Sequence, residues 1–222
     1  MERESLSEIL DGPGLPDLVI ARAYRDIARI HGWLGDTDYV VRAIRCDPLP
    51  VRRVMDIGCA TGLVLKDVQR RLRVEGIGVE INPHPAIAAP VTIVKADASR
   101  DPLPPADIAY CMCLGHHLCE TGLADVIRNV GRSCRRFLIV DLVRHPLPLG
   151  LFRIAIGPLV CRINAEDGCR SIRRSYTPVE LEQIVKHALA GTAGRYRHTV
   201  APFYARQVID ISYAAAYGRQ VT

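Results

Sequence analysis

Between Val51 and Val143 short apolar runs alternate with amphipathic ones. Val54, Met55 and Ile57 form the first run, which turns through Gly58, Cys59, Ala60, Thr61 and Gly62 into the helically periodic LVLKDVQRRL. The second run, VEGIGVEI, ends near Glu80, and the third, VTIVKAD, at Asp97. The proline-rich link between them, INPHPAIAAP, is too broken for a long regular helix. A fourth run spans Ile108 to Cys113, a helix is predicted over GLADVIRNVGRSC, and RRFLIVDLV gives a fifth run ending near Asp141. Strand and helix alternating in this way predict an α/β domain, its parallel sheet covered by helices on both faces.

The flanks break that rhythm. Residues 1–50 read as an N-terminal helical cap, with Leu15, Leu18, Val19, Arg22, Ile27 and Ile30 on one amphipathic pattern and Tyr39, Val40, Ala43 and Ile44 on a second. Trp33 falls in the link between them, either as an anchor packing one helix on the other or as a cap over a ligand. Residues 51–222 form the α/β domain. It carries an apolar insertion at about 146–165, interrupted by Pro146, Pro148, Gly150, Arg153, Gly157 and Pro158. That stretch is too short and punctuated to span a membrane. Two roles remain for it, a helix pair roofing an apolar pocket or simple core packing, with an interfacial membrane contact weaker than either. Thr177 with Glu180 makes a capping box, Pro178 takes the first helical position, and a helix starts there. Two β-rich segments around Ala201 and Pro202 suggest a terminal hairpin closing the sheet.

The formal charge of +5 is carried almost wholly by scattered arginines, lysine occurring only at Lys66, Lys95 and Lys186. A nucleic-acid footprint is a denser basic stripe with interleaved aromatics, so nucleic acid is not an expected partner. The eight cysteines include no CxxC pair, and MERESLSEIL lacks a charged-then-apolar signal pattern, which leads us to expect reduced thiols in a cytoplasm. Cys111, Cys113, His116, His117 and Cys119 crowd together, but without structural-zinc spacing and with two cysteines inside an apolar run. No metal is expected.

Asp56, Gly58, Glu80, Asp97 and the His116–His117 pair all fall at or just beyond the carboxyl ends of predicted strands, the edge where open α/β sheets bind ligands. A dinucleotide site would show GxGxxG after the first strand. Here the order is Asp56-Ile57-Gly58-Cys59-Ala60-Thr61-Gly62. DIGCATG followed by GIGVEIN resembles motif I and the acidic second-strand end of class I S-adenosylmethionine-dependent methyltransferases. VKADASRDPLP and ADIAYCMCLGHHL resemble that family's third- and fourth-strand motifs. The likeness covers Val51 to Asp141. A looser one, from DG to SIRRSYTPVELEQIV, points to a small-molecule subgroup acting on phenolic, quinone or polyketide substrates.

The resemblance implies a Rossmann-like seven-stranded sheet, mostly parallel with an antiparallel last strand, and S-adenosyl-L-methionine as cofactor. Gly58, Cys59, Ala60 and Gly62 would line its methionine end beside Asp56. Glu80, with Ile81 next to it, would hold the ribose hydroxyls, Asp97 and Ala98 would contact the adenine, and Cys113 and Leu114 would pass beneath. Ala60 stands where the family commonly has glycine.

Methyl transfer to a phenol or enol needs a base near neutral pH, and histidine suits that task. His116 or His117 leads, with His145 second; Asp141 would orient either one, a role open also to Asp167. Tyr176 and Arg173 read as a solvated pair. The expected activity is O-methylation of a hydrophobic small molecule. C-methylation of a quinone-like ring stands close behind, ahead of a protein or RNA methyltransferase and a non-catalytic cofactor-binding subunit. Oligomeric state has no readable signal.

Overall fold

Strand β1 (Arg53–Ile57) shows why the apolar runs become a sheet covered on both sides. Val54 joins a core on one face with Ile108, Leu138 and Val208, while Met55 and Ile57 join a core on the other with Ala109, Phe137, Ile139 and Ile209. Successive side chains leave a strand on opposite faces, so β1 feeds both layers. The structure, a computed structural model, describes residues 1–84 and 88–214; residues 85–87 of the proline-rich link and the tail 215–222 lie outside the described residues.

Among the described residues the sheet has seven strands, adding β2 (Glu75–Glu80), β3 (Thr92–Lys95), β4 (Ile108–Met112), β5 (Arg136–Asp141), β6 (Arg195–Val200) and β7 (Gln207–Ser212), in the order β3-β2-β1-β4-β5-β7-β6. Pairing is parallel from β3 to β5, and β7 runs antiparallel to both β5 and β6. The terminal hairpin therefore closes the sheet as the sequence suggested. The order reverses between β1 and β4, which opens a crevice at their carboxyl ends.

Helices α1 (Asp17–Trp33) and α2 (Asp36–Arg45) precede the sheet, and α3 (Leu63–Leu72) follows β1. Val40, Val41 and Ile44 of α2 pack with Leu65 and Val68 of α3 in the Val54 core. Helix α4 (Glu120–Ser133) covers the opposite face through Leu123 and Ile127.

Trp33 is neither anchor nor cap: it is 52% exposed, under the Arg29 guanidinium at 5.0 Å. It lies two positions, about 200° of helical rotation, from the buried His31. The apolar insertion forms one broken helical run, α5 (Pro146–Leu151), a π turn over Phe152–Ile156 and a 3-10 turn over Gly157–Leu159. Phe152 lies so close over Gly168 that a Cβ there would stand 2.2 Å from its Cζ. Helix α6 (Arg162–Arg174), which carries Gly168, was not anticipated. Among the described residues, no helix is long and apolar enough to cross a membrane.

Helix α7 (Pro178–Leu189) starts on the expected box, Thr177 Oγ1 accepting from Glu180 N and Glu180 Oε2 from Thr177 N at 2.8 Å. Thr177→Ala removes one arm and should cost about 1 kcal/mol, read as a lower urea midpoint at unchanged slope.

Candidate active site

The turn after β1 is held in left-handed backbone at Gly58 (φ 71°), Ala60 (φ 48°) and Gly62 (φ 72°). A Cβ at Gly58 would meet Leu114 Cδ1 at 2.8 Å, and one at Gly62 would meet Val91 Cγ2 at 2.5 Å. Glycine is required at both for space as well as for φ. Ala60 has no such freedom, and a left-handed L-residue costs roughly 1–2 kcal/mol. Its N–H is donated to Glu80 Oε2 at 2.9 Å, a charge-assisted bond that holds the conformation and ties the turn to the end of β2. The other carboxylate oxygen of Glu80 accepts from Asn82 N at 3.1 Å. Each oxygen thus keeps acceptor capacity, which suits a diol.

The crevice opens into a cavity of about 1050 Å³. That stands at the top of the roughly 300–1,000 Å³ range of small-molecule pockets. Asp56, Gly58, Cys59, Ala60, Glu80, Ile81, Asp97, Ala98, Cys113 and Leu114 all line it, as do His116 and His117. Pro148, Leu151, Phe152, Ala155 and Ile156 line it as an apolar roof, with Ile20, Tyr24 and Ile27 of α1. The opposite side of that roof is open to water, Ile154 being 81% exposed. Asp97 is already engaged by Ser99 N at 2.9 Å, Ser99 Oγ at 2.6 Å and Arg100 Nε at 2.7 Å, and these bonds hold its pKa below the usual carboxylate value. Burial lifts the Asp56 carboxyl to about 8, against the pull of the Tyr110 hydroxyl.

A cluster of titratable side chains also lines the cavity. His116 and His117 follow β4 on a short 3-10 turn, ring centroids 4.3 Å apart. His116 Nδ1 meets Asp141 Oδ1 at 2.8 Å, and its Nε2 lies 3.3 Å from Glu8 Oε1. His117 Nδ1 meets Asp11 Oδ2 at 3.1 Å. Burial works against the His116 imidazolium, but Asp141 and Glu8 outweigh it and hold its pKa up at about 9. Burial likewise opposes the Glu8 carboxylate, and the two histidines bring it down to about 2.

The pH dependence follows from these directions. His116 contributes stability that is complete below its ordinary 6.5 and is lost as pH rises through about 9. Asp56, also raised, acts the same way across 3.8 to about 8. Glu8 contributes stability present above 4.5 and lost as pH falls through about 2. Urea midpoints should therefore fall between about pH 6.5 and 9; a flat profile there would contradict a charged His116.

Three expected residues stand off the cavity. Gly62 does not line the cavity but caps α3 and passes against Val91. Asp141 reaches the cavity only through His116, whose Nδ1 its carboxylate meets. His145 lies off the cavity as the N-cap of α5, its Nδ1 accepting from Leu147 N at 3.1 Å and its ring stacked on Tyr204. Asp167 does line the cavity but orients no histidine; it accepts from Ile9 N at 2.7 Å and Leu10 N at 2.9 Å. Tyr176, expected in solvent, is buried with its hydroxyl donated to Leu118 O, and Arg173 pairs with Glu4.

Sequence reasoning missed Glu8, Asp11 and Arg174. The first two lie on an N-terminal segment strapped to α6, Asp11 within its turn, with Ser171 Oγ donated to Glu8 at 2.6 Å and Arg3 Nε to Arg174 O at 2.6 Å.

No family model matches the sequence, and no curated protein matches it. Solved structures do. The plantazolicin methyltransferase BpumL in complex with SAH superposes with a TM-score of 0.68 at 12% identity, covering 89% of this chain and 91% of that one. The magnesium protoporphyrin IX methyltransferase ChlM from Synechocystis PCC 6803 with bound SAH gives 0.55 at 17%, covering 92% and 91%. Human N-acetylserotonin methyltransferase in complex with SAM gives 0.58 at 14%, covering 87% and 56%. Sheet order, antiparallel β7 and these superpositions define the fold as that of the class I methyltransferases, built on a Rossmann-like sheet.

Proposed function

We propose that this protein transfers the methyl group of S-adenosylmethionine to a hydroxyl oxygen of an apolar small molecule. The observation that carries the reading is Glu80, fixed by two backbone N–H groups at the end of β2, beside the tight turn and facing the cavity. That the similar structures hold SAM or SAH supports it.

In this reading Glu80 takes the ribose hydroxyls, with Ile81 beside it. Gly58, Cys59 and Ala60 line the methionine end above Asp56, Asp97 and Ala98 border the adenine, and Cys113 and Leu114 lie beneath. The cofactor supplies a methyl group on a positively charged sulfur. The chain's own work is to align the acceptor, exclude water and take a proton. The roof from Pro148 to Ile156 does the second. His117 Nε2 does the third, because His117 Nδ1 is turned to Asp11, whereas His116 already holds its proton between two carboxylates.

Incubation with methyl-labelled S-adenosylmethionine and a panel of phenols and enols tests this. The expected product is a labelled methyl ether. Label found only on ring carbon would move the reading to C-methylation, and label found only on protein or RNA would overturn the small-molecule assignment.

A further inference from the structure

We propose that Glu8, His116 and His117 form a binding site for a divalent transition-metal ion of the zinc type. Glu8 Oε1 lies 3.3 Å from His116 Nε2 and 3.7 Å from His117 Nε2, and the three ligand atoms all fall within 4.8 Å of one another. Ligands at about 2.0–2.1 Å from a tetrahedral ion stand roughly 3.4 Å apart, close to both distances.

Both imidazoles are set for the task by their other nitrogen. Asp141 holds His116 Nδ1 at 2.8 Å and Asp11 holds His117 Nδ1 at 3.1 Å, the carboxylate–histidine arrangement that orients metal ligands. His116 is 2% exposed, and its Nε2, 3.3 Å from Glu8 Oε1 but outside hydrogen-bond geometry with any described residue, gives up its proton on taking an ion. Glu8 Oε1 accepts from Ser171 Oγ and keeps a lone pair for an ion. Three carboxylates, Glu8, Asp11 and Asp141, face the imidazoles. Arg174 Nη1, 3.9 Å from Glu8 and 3.7 Å from Asp11, offsets one of those charges, so the cluster keeps a negative excess that a dication meets.

All three ligands line the cavity, which leaves a fourth coordination position facing it, as in catalytic zinc sites. On the methyl-transfer reading, on which this role rests, that position would hold the acceptor oxygen and lower its hydroxyl pKa. The ion would then take over the work assigned to His117 in the metal-free chain. Binding itself does not depend on that reading.

Cobalt(II) titrated into the chelator-treated full chain is the probe. One equivalent should bind with the visible absorption of a low-coordinate ion and be displaced by zinc. Glu8→Gln and His117→Ala should each weaken binding by roughly 100-fold or more, and Asp11→Asn by about 10- to 100-fold. His187→Ala, at an exposed histidine of α7, should leave it unchanged. Far-UV circular dichroism checks that each variant folds, and Asp11, at the surface, carries the test if the others do not. No stoichiometric uptake, or uptake indifferent to Glu8→Gln and Asp11→Asn, overturns the proposal. Calorimetry with S-adenosylmethionine on the same samples separates the two claims: cobalt uptake without cofactor binding upholds the metal site and removes the methyltransferase reading, and cofactor binding without uptake does the reverse.

Discussion

Glu80→Ala should weaken S-adenosylmethionine binding by roughly 100- to 10,000-fold in a calorimetric titration. Hydrogen bonds to a charged group contribute about 1.5–3 kcal/mol each, and a ribose diol makes two with this carboxylate; about 1.4 kcal/mol is tenfold in affinity. The loss extends to the turn, because Ala60 N–H gives its bond to Glu80 Oε2. Without that acceptor nothing compensates the left-handed backbone of Ala60 (φ 48°), and the Gly58–Gly62 loop no longer presents its amides in a fixed direction. Glu80→Gln keeps one carbonyl oxygen and should fall between wild type and alanine. Unchanged affinity in both variants would remove Glu80 from the site.

His117→Ala should lower turnover by roughly 100- to 10,000-fold while leaving cofactor affinity within about twofold, the range that positioned proton transfer contributes. Its imidazole lies between Glu8 and Asp11 and is only partly buried, so truncation leaves the sheet and both cores intact. His116→Ala differs in kind. It strips the partner from a fully buried Asp141, and removing one member of a buried ion pair costs about 3–5 kcal/mol in stability. A slow but stable His117 variant beside a destabilised His116 variant is the expected contrast. Full turnover in His117→Ala would refute its role as base.

The sheet was legible because its central strands β1, β4 and β5 each feed two apolar layers. The run Ile108 to Met112 could hardly be anything else, being buried along nearly its whole length. The carboxyl-end residues were legible for the same reason, since strand ends fix where Asp56, Glu80 and Asp97 must stand. Helix α6 was not, because it turns polar residues inward: Asn164 donates to Ala23 O, and Asp167 and Ser171 bind the N-terminal strap. Hydrophobic periodicity has no purchase on such a face. Glu8 and Asp11 were missed for a related reason. Their segment has no regular structure of its own and is held by bonds to residues more than 100 positions away, such as Arg3 to Leu118 O and Ile9 to Asp167. His145 illustrates the converse, a histidine at a promising strand-end position that the backbone used as a helix cap.

On the proposed function the turn after β1 accepts a sulfonium nucleoside and no dinucleotide. Calorimetric titration of the purified chain with S-adenosylmethionine, S-adenosylhomocysteine and NADH decides it. Saturable binding of the first two at one site per chain, with no heat from NADH, is the predicted result. Tight NADH binding with no response to either sulfur nucleotide would contradict it.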